Sequence, residues 1–144
     1  MTWIAARSWC EDQNLEMLSI HDADDQAAAQ SACPTTDNCW IGLHCDENAD
    51  SHCKNTNDWK WADGSAFNDD SYTNWKDGQP NNNGGVQDCI LMKGTEDWLW
   101  VDFGCNTNTL GLALCHGTNC VLTQLLFTLE HDCNVLNMLN VVSD

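Results

Sequence analysis

The chain predicts an α+β, disulfide-rich domain. A capped helical segment sits among short strand-like runs, those runs carry or adjoin most of the eight tryptophans, and ten cysteines fall within only 144 residues. That length is close to the modal size of one compact domain. So many cysteines in so short a chain argue for an oxidising compartment and a fold stapled by bridges. The chain also carries 22 acidic residues against 5 basic ones, for a net charge of −17. Such a surface repels phosphate backbones and anionic lipid, so neither nucleic acid nor a membrane surface is an expected partner. Its simplest role is to keep a secreted protein soluble.

Glu16-Met17-Leu18-Ser19-Ile20 alternates as a half-buried strand, and His21 after it is expected to pack on the surface or in a turn. Asp22 can cap a helix over Ala23–Ala32, because its short carboxylate accepts the orphan N–H groups of a first turn and Ala and Gln favour helix. Cys39–His44 and Asp58–Trp61 read as strands, with Asp63-Gly64 as a tight-turn signal. Residues 65 to 88 are polar and irregular, and a loop of that length inside a compact domain is usually functional. Cys89–Met92, Trp98–Asp102 and Leu110–Cys115 then complete a small antiparallel sheet. Core packing accounts for most of the tryptophans better than a sugar-stacking platform does.

The loop carries the chemistry. Gln79-Pro80-Asn81 places a proline between two side-chain amides, and an Asn/Gly-rich stretch follows into Asp88-Cys89. Amide and carboxylate oxygens on a stiff turn suit a hard cation such as Ca²⁺ and accept hydrogen bonds from sugar hydroxyls. A second oxygen source follows at Trp100-Val101-Asp102, three residues before Cys105.

With Trp40-Ile41-Gly42-Leu43, Trp59-Lys60-Trp61-Ala62-Asp63-Gly64-Ser65 and Asn74-Trp75-Lys76-Asp77-Gly78-Gln79-Pro80-Asn81 preceding Trp100-Val101-Asp102 in order, residues 1 to 117 resemble a C-type lectin-like domain. The resemblance implies a C-type lectin-like fold, two helices flanking small antiparallel sheets around the long irregular loop 65–88. It also implies a first helix opening at Met1-Thr2-Trp3-Ile4-Ala5-Ala6 with Thr2 as N-cap. Trp75, matching the family's loop tryptophan, becomes the core anchor of the loop. Calcium and sugar ligands would fall on Gln79, Asn81, Gln87, Val101 and Asp102. Val101 has no side-chain oxygen, and among the five only Asp102 is charged. Calcium sites commonly need about six to eight oxygens, so the set implies a weak, millimolar-type site to which Asp88, backbone carbonyls or water would have to contribute. Gln79 is the galactose-type first residue and Asn81 the mannose-type third, so the triplet gives no sugar preference.

The resemblance further implies bridges Cys10–Cys115 and Cys89–Cys105. Cys33 and Cys39 enclose a turn-rich segment suited to a local bridge, and Cys45 and Cys53 flank an acidic hairpin tip in the same way. Cys120 and Cys133 are then left as a pair. His44-Cys45 and His52-Cys53 also spell a two-thiolate, two-imidazole zinc set, against which the oxidising setting favours the disulfide. With the cysteines absorbed in bridges and no Ser/His/Asp arrangement in view, the chain is not expected to be an enzyme.

The family's first strand, which normally pairs with the last, has no counterpart before Thr2, and no signal peptide precedes it. The sheet edge so exposed would be covered by something else or would accept an added strand. Beyond Gly117 the resemblance ends, and residues 118 to 144 form a separate C-terminal tail. Its apolar residues Leu122, Leu125, Leu126, Leu129, Cys133 and Leu136 recur at helical spacing. Glu130, His131 and Asp132 interrupt it and it is too short to span a membrane. One continuous helix would put Cys120 and Cys133 about 20 Å apart, whereas a bridge needs Cα atoms within about 7 Å. Helix and Cys120–Cys133 bridge therefore exclude each other, and an extended Val121–Leu129 covering the open edge is the alternative.

Two functions follow. One is a secreted, extracellular carbohydrate-binding module using Gln79, Asn81, Gln87 and Asp102, with calcium as its metal and a glycan or glycoprotein as partner. The other is a non-sugar-binding domain of the same fold acting in assembly or adhesion, as a structural subunit of an extracellular polymer or matrix. It would form a homo-oligomer through its C-terminal tail or open sheet edge.

Overall fold

The computed structural model describes residues 1–45, 53, 55–109 and 111–117. Helix α1 spans Trp3–Asp12. It starts where expected because Thr2 Oγ1 accepts the Ala5 N–H at 3.1 Å. Its buried face carries Trp3, Ala6 and Cys10, spaced to line one side of a helix. Helix α2 spans Ala23–Ala32, capped by the Asp22 carboxylate, which accepts from the N–H groups of Asp24 and Asp25 at 2.9 Å each. Asp24 and Asp25 also place negative charge in its first turn, where the helix dipole favours it.

Seven strands follow in chain order: β1 Glu16–Met17, β2 Asn38–Cys45, β3 Trp59–Trp61, β4 Cys89–Lys93, β5 Leu99–Phe103, β6 Leu112–Ala113 and β7 Cys115–His116. The larger sheet has the order β3-β2-β4-β5 with antiparallel ladders, and β6 lies parallel to the start of β2. The smaller sheet is the antiparallel pair β1–β7.

Two expected strands are shorter than their sequence pattern. Glu16–Ile20 pairs as a ladder only over Glu16–Met17, because its partner β7 is two residues long. Within the run expected over Leu110–Cys115, Leu112–Ala113 joins the larger sheet and Cys115 the smaller one. Leu114 sits at the crossing: its N–H donates to the Trp40 carbonyl at 3.1 Å, and its carbonyl accepts the Leu18 N–H at 2.8 Å. One backbone unit thus joins both sheets. Gly42 marks a second junction, where its N–H donates to Leu18 O at 2.8 Å. A Cβ there would lie 3.0 Å from Met17 O, so close approach of β1 to β2 requires glycine.

The core lies between the larger sheet and the helices. Trp40, Trp61 and Trp100 are fully buried, and Trp3 and Trp59 nearly so, each a large apolar contribution. Disulfides join Cys10 to Cys115, Cys33 to Cys39, Cys45 to Cys53 and Cys89 to Cys105. With both thiols of Cys45 and Cys53 spent in a bridge, the zinc set at those positions has no thiolate to offer. Among the described residues no further strand pairs with β7. The Cys120–Cys133 pair, His52, and both structures expected for the tail fall outside the described residues.

Candidate functional site

The loop between Ser65 and Asp88 has almost no regular structure; its one helical turn is Asn83–Gly85. It is nevertheless fastened to β5. Trp100 donates its N–H to Asn74 O at 2.8 Å and accepts the Lys76 N–H on its own carbonyl at 3.0 Å. The Trp75 ring stands edge-on to Trp100 with centroids 5.6 Å apart, and Trp59 lies against it at 5.9 Å. Trp75 is therefore packed into the core face, and the loop hangs from it.

Beyond Trp75 the Gln79–Pro80 peptide is cis, and the chain then closes over Asp102. Asp102 is buried, 1% exposed. Both its carboxylate oxygens accept the Asn81 N–H at 3.1 Å, and Oδ2 accepts the Asn82 N–H at 2.5 Å. Asn82 itself is left-handed, φ 44° and ψ 49°, a conformation asparagine tolerates better than most residues.

Gln87 completes the closure. Its Nε2 donates to the Asp102 carbonyl at 2.9 Å, and its Oε1 accepts the Asn83 N–H at 2.5 Å. Asn81 Oδ1 accepts the same Asn83 N–H at 2.8 Å, and the Gln87 N–H donates to Asn82 Oδ1 at 3.0 Å. Three of the four residues expected to form the site, Asn81, Gln87 and Asp102, are thus brought together by hydrogen bonds to one another's backbone. The fourth, Gln79, lies on the adjoining turn with its Oε1 buried and accepting no hydrogen bond.

The donor set can be weighed against calcium directly. Asp102 supplies the only charge of the set, and both its oxygens already accept amide hydrogens. Val101 adds no side-chain oxygen. On the other side, Gln79 Oε1 has no partner, and Asp102 Oδ1, which accepts only a share of the Asn81 N–H, has a second lone pair for a cation. A dication therefore fits as a weak ligand that shares Asp102 with the loop amides. A carboxylate oxygen of Asp88 lies within 4.8 Å of Cys45 Sγ and Cys53 Sγ, which their bridge disqualifies as ligands.

Sequence reasoning missed three features. A cleft of about 320 Å³ beside the loop is lined by Trp59, Phe67 and Trp75 together with Asn68, Asp69 and Thr73, and Pro80 adjoins it. Nothing short of the fold brings residues from strand and loop together there. Gln26 on α2 is buried and accepts the Trp100 Nε1–H at 3.0 Å. Its position on the apolar face of the predicted helix was the available signal.

The third feature is an ionic clasp on the loop. Lys76 Nζ meets Glu96 Oε2 at 2.5 Å, and Lys93 reaches the other oxygen. Hydrogen bonds from Lys76 and Lys93 hold the Glu96 carboxyl below its ordinary range. A depressed carboxylate contributes stability above its unfolded pKa, and that contribution is lost as pH falls through the lower folded value. Glu96→Gln is expected to cost less than about 1 kcal/mol at neutral pH, since the three partners are partly exposed. The gap to wild type should shrink in high salt and close as pH falls through the lowered Glu96 value. Urea melts across that range check it, and a gap that widens in acid would contradict the clasp.

Comparison with known proteins follows the same outline. The family described as Lectin C-type domain matches residues 1–122. The low affinity immunoglobulin epsilon Fc receptor of Mus musculus is 35% identical over 96 residues, covering 67% of this chain and 26% of that protein. Ladderlectin of Oncorhynchus mykiss is 42% identical over 50 residues, covering 35% of this chain and 25% of that protein. The chain thus spans about a quarter of the length of these curated relatives. Among solved structures, the cow C-type carbohydrate-recognition domain of CD23, studied in the presence of GlcNAc2Man3 oligosaccharide, superposes with a TM-score of 0.66. It is 27% identical, and the match covers 83% of each chain. A calcium-independent type II antifreeze protein superposes with a TM-score of 0.57 at 26% identity, covering 74% of this chain and 72% of the other.

Proposed function

Because the chain belongs to the C-type lectin domain family, we propose that it is an extracellular glycan-binding module that works through its long-loop face. The observation that carries this reading is the cleft beside the loop, where aromatic Trp59, Phe67 and Trp75 meet the polar Asn68, Asp69 and Thr73. Apolar walls with a few placed polar groups are what a small ligand pocket needs. A sugar ring offers both an apolar C–H face and hydroxyls, so it matches that lining. Gln79, next to the cleft's Pro80, has an unpartnered Oε1 that is buried in the fold and would turn outward to accept from a sugar.

Calcium is a subordinate ligand in this reading, held by Gln79, Asn81, Gln87 and Asp102. When bound, it supplies an electrophilic anchor for vicinal sugar hydroxyls. The family is typically non-enzymatic, its members include carbohydrate-binding lectins and receptors, and the four disulfides suit an oxidising extracellular setting.

The test is calorimetric calcium titration together with retention on an immobilised glycan panel, in calcium and in chelator. We expect a calcium Kd of about 10⁻⁴–10⁻³ M, and retention of at least one glycan that falls in chelator. Failure to retain any glycan in either arm would overturn the reading.

The internal satisfaction of Asp102 and Gln87 favours a second reading, a non-sugar-binding domain acting in assembly or adhesion. Silence on the glycan panel, with self-association that disappears when the chain is cut after Gly117, would select it.

A further inference from the structure

We infer that Glu16, Asp63 and His116 form a binding site for a zinc-type divalent metal, built where the two sheets adjoin and sharing no residue with the long loop.

The three residues reach one place by independent routes. Glu16 and His116 are directly opposed partners in the β1–β7 ladder. Directly opposed side chains project from the same face of a pair, with Cβ atoms about 4.5–5.5 Å apart. Asp63 arrives from the turn after β3, which is closed by the Gly64 N–H donating to Trp61 O at 3.0 Å. One ligand atom from each residue lies within 4.8 Å of the other two.

Asp63 is held in place from behind. Its Oδ2 accepts the Ser19 hydroxyl at 2.6 Å, and its Oδ1 accepts the Ser65 N–H at 2.8 Å and the Ser65 hydroxyl at 2.5 Å. Such outer partners are what orient a ligating carboxylate. Burial alone would raise the Asp63 carboxyl, but the Ser19 and Ser65 hydrogen bonds, with the His116 imidazole nearby, outweigh it and hold the group below its ordinary range. It is therefore an anion.

The histidine supplies the observation that the carboxylates alone could not. His116 Nε2 is buried and makes no hydrogen bond. It lies 3.9 Å from Asp63 Oδ2, too far for a hydrogen bond. An imidazole nitrogen that stands off the Asp63 carboxylate without bonding it, with Glu16 within reach, leaves room for an ion. Ligand atoms around tetrahedral zinc sit roughly 3.3 Å apart for bonds of about 2.0–2.1 Å. The His116–Asp63 gap is already close to that, and Glu16 needs only a side-chain adjustment.

One imidazole and two carboxylates also choose the metal. Two negative charges balance a dication, while the nitrogen ligand favours zinc over calcium or magnesium, which take oxygen. Three protein ligands leave a fourth position to water. Bound there, the metal would tie β1, the β3 turn and β7 together, next to the Cys10–Cys115 bridge.

The test uses the untagged full chain with all disulfides formed. Calorimetry with zinc chloride should show one tight site, and zinc should raise the melting temperature by several degrees. Glu16→Gln and His116→Gln, which keep the wild-type melting temperature in chelator, should each weaken zinc binding at least tenfold and abolish that rise. Calcium at the same concentration should not compete. Zinc binding that is absent in wild type, unchanged in both variants, or displaced by equimolar calcium would overturn the site.

Discussion

Trp100→Ala should destabilise the domain by about 4–8 kcal/mol, a large share of its stability. Trp100 is fully buried and stands edge-on to Trp61, Tyr72 and Trp75 with ring centroids 5.6–6.0 Å apart. Truncating a buried Trp costs about 3–5 kcal/mol through lost transfer energy and the cavity left behind. The change also strips Gln26 Oε1 of the Trp100 Nε1–H, and an unsatisfied buried acceptor costs roughly 1–3 kcal/mol more. A domain of this size has only about 5–15 kcal/mol to lose.

Trp100→Phe separates the two contributions. It keeps an aromatic ring against Trp61 and Trp75 and removes the donor to Gln26, so it should cost about 1–3 kcal/mol. Urea unfolding followed by circular dichroism measures both. Limited proteolysis should then show the segment from Asn74 to Lys76 opening in the alanine variant, because both its backbone bonds end on Trp100. An alanine variant within 1 kcal/mol of wild type would refute the account of Trp100 as the hub of core and loop.

Trp100 also shows where sequence is legible and where it is not. Its burial follows from a Trp in a short strand run, and the same local logic fixes the Asp22 cap and the extent of Ala23–Ala32. Those signals are written within a few residues of where they act. The Gln26–Trp100 bond spans 74 residues, and nothing local encodes it. Leu110–Cys115 reads as one strand because alternation says only that a segment is extended. Which sheet each half joins is decided by Leu114, whose two backbone groups bond to Trp40 and Leu18.

The candidate site divides in the same way. Gln79, Asn81, Gln87 and Asp102 are identifiable from motif order, but motif order assigns them to a cation. In the fold Asp102 and Gln87 first serve the loop's own N–H groups. Backbone donors are invisible in a side-chain motif, so a ligand set and a loop clamp look alike until the chain is folded.

Asp102→Asn distinguishes clamp from ligand. The carboxylate offers an acceptor on each oxygen to the Asn81 and Asn82 N–H groups. An amide with its oxygen at the Oδ2 position still accepts both N–H groups, but it sets its NH₂ against the Asn81 N–H with no acceptor for its own hydrogens, at a cost of about 1–3 kcal/mol. The variant should lose that stability, open residues 81 to 87 to hydrogen exchange, and lose glycan retention with them. Gln87→Ala should behave alike but more mildly, since it removes the side-chain donor to the Asp102 carbonyl while the Asn83 N–H keeps Asn81 Oδ1 as acceptor. Gln79→Ala should weaken glycan retention while leaving stability near wild type, because Gln79 Oε1 bonds nothing in the folded chain. Calcium enters as the control. If Asp102 is a clamp, chelator leaves the wild-type melting temperature unchanged and calcium does not rescue Asp102→Asn. A wild-type domain that loosens in chelator to the level of Asp102→Asn would mean that the ion, and not the Asn81 and Asn82 amides, is the natural partner of that carboxylate.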